Sequence, residues 1–497
     1  MFLAATMTTP DIPWSNLLPL LILLGGACAL LMLGSLVPNW PRVATPIVTI
    51  STAVAAGIAS CVQWNDLYYR KGFTIISDSV SVDRFAIAAT IIITVAVALG
   101  ALLAAAHNDA ANGDPLERYA LLLTSAIGAV VMASANDLIV LFLGLEVLSL
   151  SLYLMAASDR RRVESQEAGL KYFILGGFAS AFLLYGIALV YGSTATTNIS
   201  GIAQSLADRV EVGGSDAMLL VGIGLMLVGL GFKVSAAPFQ MWTPDVYEGA
   251  PTSVTSYMAS AGKVAAFAAI LRVFIVGLDS RVDDWRPVIW VLAILSIFVG
   301  STMAVVQTNV KRMLAYSSIS HAGFILVGVE AAAHAKSNGL SASMAYLSIY
   351  TMLVLGSFAI LIAVAGNGDS ATSLDSFKGL AKRRPALALA FSTLLFAQAG
   401  VPFTSGFVAK FGVIKAAVEA HSYGIGIAAM VGAVIGAFLY LRIVVSMWME
   451  EPTTDEAIVI PVPVTVVIAI SVAFALVIGF FPSLLLNAID LVRFAPR

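Results

Sequence analysis

Apolar runs of about twenty residues recur from one end of this sequence to the other, and no other feature narrows its possible folds as far. A helix rises 1.5 Å per residue, so a run of that length crosses the ~30 Å hydrocarbon core of a bilayer. The stretch "AIAATIIITVAVALGALLAAA", residues 86–106, is apolar on every face. A strand of a membrane barrel would instead alternate apolar and polar with period two. Only 11% of the 497 residues are charged and 59% are hydrophobic, against about 25% charged in a soluble globular chain. The chain is therefore expected to be an all-α polytopic membrane protein.

Fourteen spans are expected, with limits good to a few residues: 15–37, 43–63, 80–106, 117–134, 136–157, 166–192, 216–241, 252–277, 286–308, 312–333, 341–366, 386–416, 423–449 and 459–486. The short connections imply antiparallel neighbours in one bundle. An even count puts both termini on one side of the membrane. The densest basic loops, "SDRRRVES" and "DSFKGLAKRRP", both follow an odd span and so share the other side. That side holds roughly eleven Lys and Arg against eight, and the excess marks it as cytoplasmic, with both termini outside.

Two spans are interrupted. "AAPF" at Ala236–Phe239 places Pro238 late in span 7, and "GVPF" at Gly400–Phe403 places Gly400 and Pro402 inside span 12, with Gly406 and Lys410 after them. The spans lie five apart, an odd offset that reverses the direction of equivalent helices. Such an arrangement marks an inverted repeat with discontinuous helices. The expected division is helices 1–3 in residues 1–116, one repeat in 117–277 (spans 4–8), its inverted partner in 278–449 (spans 9–13), and helix 14 in 450–497.

Ionisable residues at membrane depth cost at least ~2.5 kcal/mol each on insertion scales and mark ion paths. Five fall well inside spans: Glu146 in span 5, Lys233 in span 7, Lys263 in span 8, His321 in span 10 and Lys410 in span 12. Snorkelling does not serve residues at mid-span. A static Glu146–Lys233 pair would account for two of them, and a satisfied core histidine for a third. Neither covers Lys263 and Lys410, whose own helices offer no acid at that depth. A buried lysine that gains and loses a carboxylate neighbour exchanges a proton near neutral pH, and histidine titrates there unaided. The row therefore points to proton translocation. Lys171, Asp137 and Lys415 lie nearer helix ends and are read as interfacial.

Other chemistry is poorly supported. Cys28 and Cys61 sit in apolar segments without partners at metal-ligand spacing, and are read as lipid- or helix-facing. No cysteine set for iron–sulfur clusters and no dinucleotide fingerprint after a strand is present. A net charge of −2 does not suggest nucleic-acid binding. No Lys or Arg precedes Arg42, so no cleavable signal peptide is expected. Trp242 and Tyr247 could line a quinone pocket, but are read as an interfacial belt.

Several long stretches resemble the antiporter-like membrane subunits of respiratory complex I. They are "NDLIVLFLGLE", "KYFILGGFASAFLLYGIALVYG", "LVGLGFKVSAAPFQMWTPDVYEGAPT", "NVKRMLAYSSISHAGF" and "AGVPFTSGFVAKF". Among those subunits the likeness is greatest to subunit N of the bacterial NADH–quinone oxidoreductase. The resemblance implies fourteen helices with two inverted five-helix repeats, and functional positions at Glu146, Lys233, Lys263 and Lys410, to which the residue reading adds His321 as part of a proton path. It also implies a bacterial cell-membrane location. The partners would be other membrane-arm subunits, antiporter-like paralogues among them, with lipid, protons and internal water. FMN, iron–sulfur clusters and quinone would then belong to partner subunits, and this chain would hold no cofactor. Gln240 stands where the family often has histidine, and Ala409 where it usually has glycine. A multisubunit cation/proton antiporter shares the lysines and the broken helices, and a quinone-binding redox subunit is the remaining alternative.

Overall fold

A computed structural model describes residues 12–37, 41, 43–68, 70–106, 115–208, 216–334, 337–366, 369, 371–453 and 458–495. Among these, thirteen helices are long and apolar enough to cross a membrane. The fourteenth expected span, number 12, is present in two pieces, Pro385–Ala399 and Ser405–Glu419. The protein is thus a multi-pass membrane protein. The spans are Leu18–Leu36, Ala44–Asp66, Arg84–Ala105, Pro115–Ser134, Leu138–Ala156 and Val163–Thr194 for the first six. Span 7 is Ala217–Val234 followed, across a break, by Trp242–Gly249. Then come Thr252–Gly277, Val282–Val305, Val310–Ala332 and Gly339–Ala365, the broken span 12, Tyr423–Met449 and Val462–Phe480.

Two span boundaries and one additional helix differ from expectation. Span 3 begins at Arg84 rather than residue 80, because residues Val80–Val82 form strand β2, paired antiparallel with β1 (Phe73–Ile75). Asp83 then caps the helix, its carboxylate accepting from Ala86 N at 2.8 Å. Span 14 stops at Phe480, since Pro482 cannot continue it, and a short helix Ser483–Ile489 follows. A ten-residue amphipathic helix, Ile199–Asp208, was not expected. It buries Ile199, Ile202, Ala203 and Leu206 at helical spacing beside the end of span 6.

Spans 8, 10 and 11 form the centre of the bundle. Every residue of span 10 from Met313 to Ala331 is buried, whereas span 6 turns Leu170, Phe173, Phe178 and Tyr185 outward. An all-apolar exterior is the expected solution in lipid, where only the interior needs polar partners. Cys28 and Cys61 lie on that exterior.

Two short backbone bridges repeat one pattern. At the start of span 5, Asp137 pairs with Asn198, with Leu138 N donating to Thr197 O and Ile199 N to Asn136 O, both at 2.8 Å. At the start of span 10, Asn309 pairs with Ser373, with Val310 N donating to Thr372 O and Leu374 N to Thr308 O, both at 2.8 Å. In each case the start of a span is tied to the loop after the next span. Because the spans are five apart, the two bridges lie at opposite faces of the membrane.

One buried ion pair fastens the pieces at the face carrying the termini. Arg272, near the end of span 8, donates to both oxygens of Asp83 at 2.8 and 3.0 Å and to Ala133 O at 3.1 Å. The guanidinium lies between the rings of Phe85 and Phe494, and Ala495 N donates to the same carboxylate at 2.9 Å. Spans 3, 4 and 8 and the C-terminal segment therefore meet on one fully bonded charge pair, the condition under which burying it is tolerable.

Candidate functional site

The break in span 7 shows how a lysine is held at this depth. The helix ends at Val234, four residues before Pro238, with Ser235 in the left-handed region at φ 64°. The proline therefore prevents the helix from resuming rather than ending it. The freed backbone groups are satisfied by side chains: Ala237 N donates to Ser296 Oγ at 2.8 Å, and Phe232 O accepts from Trp242 Nε1 at 3.0 Å. Lys233 lies in the last turn of the first piece, where the helix dipole favours a cation. Its Nζ donates to Ser149 Oγ at 2.7 Å and to Tyr153 OH at 3.1 Å, both on span 5.

A direct Glu146–Lys233 pair is not formed. Ser149 and Tyr153, one and two turns beyond Glu146 on the same face of span 5, occupy the ammonium instead. Glu146 acts on it only through space. Glu146 is half-buried beside the outward-facing Leu143, Val147 and Leu150, and its Oε1 has no hydrogen-bond partner.

Lys263 is 1% exposed and is preceded by a π-helical turn, Met258–Gly262, a feature frequent at functional sites. Its ammonium donates to the backbone carbonyl of Ser318 in span 10 and lies 5.6 Å from the Tyr350 ring. His321, one turn along span 10, is bonded on both ring nitrogens: Nδ1 to Tyr346 OH at 2.7 Å and Nε2 to Tyr440 OH at 3.1 Å. The Tyr440 hydroxyl also meets Ser317 Oγ at 2.6 Å, and Tyr350 OH donates to Ser318 Oγ at 2.8 Å. Hydroxyls act as both donor and acceptor, so such a chain has the chemistry to pass a proton in either direction.

Span 12 solves the same problem differently. Gly400, at φ +89°, ends the first piece, and Lys410 folds back from the second to donate to Ala399 O at 2.9 Å. A Cβ at Gly400 would stand 2.9 Å from the Lys410 stem, and a Cβ at Gly406 would strike Ala397 O. These two glycines, with Pro402 between them, let the pieces overlap closely enough for the lysine to cross the gap. The ammonium lies 4.9 Å from the Phe324 ring. A cavity of about 10 Å³, room for about one water, joins Lys410 to His321, Ser317, Ser320 and Tyr440.

The structure therefore brings Lys263, His321 and Lys410 into one cluster, with Lys233 and Glu146 at its far end. Aromatic side chains bridge the interval. Tyr153 meets Tyr172 edge-on at 4.6 Å, Tyr172 stacks on Trp242 at 4.4 Å, and Trp242 meets Tyr247 at 6.1 Å. Tyr247 in turn lies against Ser318. Trp242 and Tyr247 are 3% and 1% exposed, so the expected interfacial belt is an interior row. The three outer residues make local contacts. Asp137 caps span 5, accepting from Ile139 N at 2.8 Å. Lys171 pairs with Glu167 and Asp245, and Lys415 with Glu419. Gln240 is half-buried with Oε1 unbonded.

Sequence reading missed a vestibule at the face opposite the termini. A cavity of about 460 Å³ is lined by Arg162, Glu164, Glu167, Lys171, Asp245, Glu248, Arg312 and Asp369. Arg312 donates to Asp245 at 2.8 Å and to Glu248 at 2.7 Å. Its charged residues come from four separate loops and helix ends, so no local motif announces it. Among the described residues, no group of three or more His, Cys, Asp or Glu side chains is placed to hold a metal ion.

Comparisons with known proteins agree with this architecture. Residues 135–436 match the family described as NADH:quinone oxidoreductase/Mrp antiporter, TM. The chain is 40% identical to NADH-quinone oxidoreductase subunit N of Trichlorobacter lovleyi over 436 residues, which is 87% of each chain. Among solved structures, a chain of respiratory complex I from Thermus thermophilus with bound aureothin superposes with a TM-score of 0.79 at 30% identity, covering 96% of this chain and 100% of that one. A chain of the Mrp complex from Dietzia sp. DQ12-45-1b shares the fold, with a TM-score of 0.84 at 21% identity and 97% coverage of both. With the two broken spans, the mid-membrane lysines and these relatives together, the chain belongs to the NADH:quinone oxidoreductase/Mrp antiporter transmembrane family, among the NADH-quinone oxidoreductase subunit N proteins.

Proposed function

We propose that this chain is a proton-translocating membrane-arm subunit of an NADH–quinone oxidoreductase. The observation that carries the reading is the buried row in which Lys233, Lys263, His321 and Lys410 are linked by hydroxyls, carbonyls and aromatic faces rather than paired with acids. Lysines held by neutral partners exchange protons far more readily than lysines locked in ion pairs. The vestibule supplies the cytoplasmic mouth, and Tyr247 and Ser318 lead from its inner wall toward Lys263. A change at the Glu146 end alters the field at Lys233, and the shift in proton affinity passes along the row to Lys410 and the outer face. Electron transfer, with its FMN, iron–sulfur clusters and quinone, takes place in partner subunits, and this chain carries no redox centre.

The same reading places the chain in a bacterial cell membrane with both termini outside, since Arg162 and Arg312 line the vestibule on the face of the basic loops. Other membrane-arm subunits, antiporter-like paralogues among them, cover the outward faces of span 5 around Glu146 and of span 6. Spans 4–8 and 9–13 are two inverted units, a division supported by the matching bridges at Asp137 and Asn309. The likeness to the Mrp complex chain favours one alternative, a subunit of a multisubunit cation/proton antiporter. Purification in mild detergent separates the two. Co-elution with flavin and iron–sulfur absorbance and NADH–quinone activity is expected, and a bare assembly of membrane subunits would refute the redox reading.

A further inference from the structure

The floor of the vestibule is closed by a buried charge pair. Lys311, 1% exposed, donates to Asp369 Oδ2 at 3.1 Å and to Ala250 O at 2.5 Å. Asp369 also accepts from Thr252 N and Thr252 Oγ1, each at 2.7 Å, so it holds the first turn of the helix that carries Lys263. Below it, span 8 continues with Thr255, whose Oγ1 donates to Tyr247 O at 3.1 Å. On span 10, Ser318 lies seven residues from Lys311 and therefore on the same face. The pair stands between the vestibule and the groups that touch Lys263.

A second cation is placed beside the first. Arg162 Nη1 lies 3.5 Å from Asp369 Oδ2 and has no hydrogen-bond partner. Of the other charges facing this point, Glu248 accepts from Asn309 Nδ2 at 3.1 Å and from Arg312, Asp245 accepts from Arg312 and Lys171, Glu167 pairs with Lys171, and the exposed Glu164 lies 3.9 Å from Arg162 Nε. Asp369 thus has an alternative partner within reach, and a buried carboxylate moves between two cations far more easily than it parts from a single one.

We propose that Asp369 is a gate residue that exchanges between Lys311 and Arg162. With Lys311 it seals the vestibule and fixes the start of span 8. With Arg162 it releases Thr252 and opens the way to Thr255, Tyr247 and Lys263. The gate restricts when protons enter and carries none itself. It rests on the reading of the vestibule as the cytoplasmic mouth.

The gate is tested by access rather than by pumping. In the assembled complex, with Cys28 and Cys61 replaced by alanine, Thr255→Cys is challenged with a water-soluble maleimide. Combining it with Asp369→Asn is expected to raise the labelling rate by about tenfold or more, because Asn cannot hold Lys311 by charge. The proton leak of sealed vesicles without NADH should rise in parallel. Lys311→Met provides an independent variant with the same expectation. Equal labelling and equal leak, in whichever variants assemble, would overturn the gate. Failure of the parent reading shows up separately, as full pumping by Lys263→Ala.

Discussion

The broken spans 7 and 12 hold their lysines in opposite ways. Lys233 lies in the first piece of its span and is held by Ser149 and Tyr153 of a neighbouring helix, with the Glu146 carboxylate at a distance. Lys410 lies in the second piece and reaches back across its own break to the Ala399 carbonyl, with a phenylalanine ring as its other neighbour. In both, the ammonium ends near the C-terminus of the first piece, where the helix dipole favours positive charge. The difference lies in what can change. Lys233 depends on another helix that carries an acid, whereas the neighbours that hold Lys410 are a carbonyl of its own span and a ring. Under the proposed function, the first site receives a signal and the second holds and releases a proton.

The largest expected effect comes from removing the first ammonium. Lys233→Met should lower proton pumping by about 10²-fold in vesicles whose complex content is unchanged. If pumping persists, the first site takes no part. Glu146→Gln sharpens the contrast. It should slow pumping by about tenfold, since a nearby carboxylate changes a buried ammonium's proton affinity by roughly that factor, and the effect should vanish when Lys233→Met is already present. Additive losses would mean that Glu146 acts elsewhere.

Gly400→Ala probes the second site through its backbone. Left-handed geometry with a Cβ costs about 1–2 kcal/mol, and the added methyl would press on the Lys410 stem. A lower midpoint in thermal denaturation of the complex is expected, together with several-fold slower pumping; an unchanged midpoint would mean that the break tolerates a side chain. The smallest effect belongs to Lys415→Ala, on the same half-helix as Lys410. Its exposed pair with Glu419 spans 3.8 Å and is worth about 1 kcal/mol or less, so pumping should stay within measurement error. A marked loss would show that charge anywhere on that helix matters, and would undo the special standing given to Lys410.

Much of this was legible in the sequence because membrane physics writes it there. Span count follows from apolar length, and the two breaks from Pro238, Gly400 and Pro402 within apolar runs. Lys263 and His321 stand out because charge and titratable groups are rare at that depth. What stayed hidden depends on which helices touch. The hydroxyl partners Ser149, Tyr153, Tyr346 and Tyr440 are ordinary residues of apolar helices until folding turns them toward the lysines and His321. For the same reason Trp242 and Tyr247 read as a surface belt, since composition does not tell which way an aromatic ring faces. Asp369 and Lys311 lie at loop and helix ends, where charges are common and carry no signal. The five-span offset was visible in the prolines, but the equivalent bridges at Asp137 and Asn309 needed coordinates.

The central claim is that protons pass along the row through Lys263, which contacts Ser318, the residue where the aromatic row from Lys233 ends. The direct measurement is the number of protons moved per NADH oxidised by sealed vesicles carrying the assembled complex with Lys263→Ala. The account predicts a clear fall in that ratio, or in turnover if electron transfer stalls with it. Pumping at full rate and full stoichiometry would contradict it.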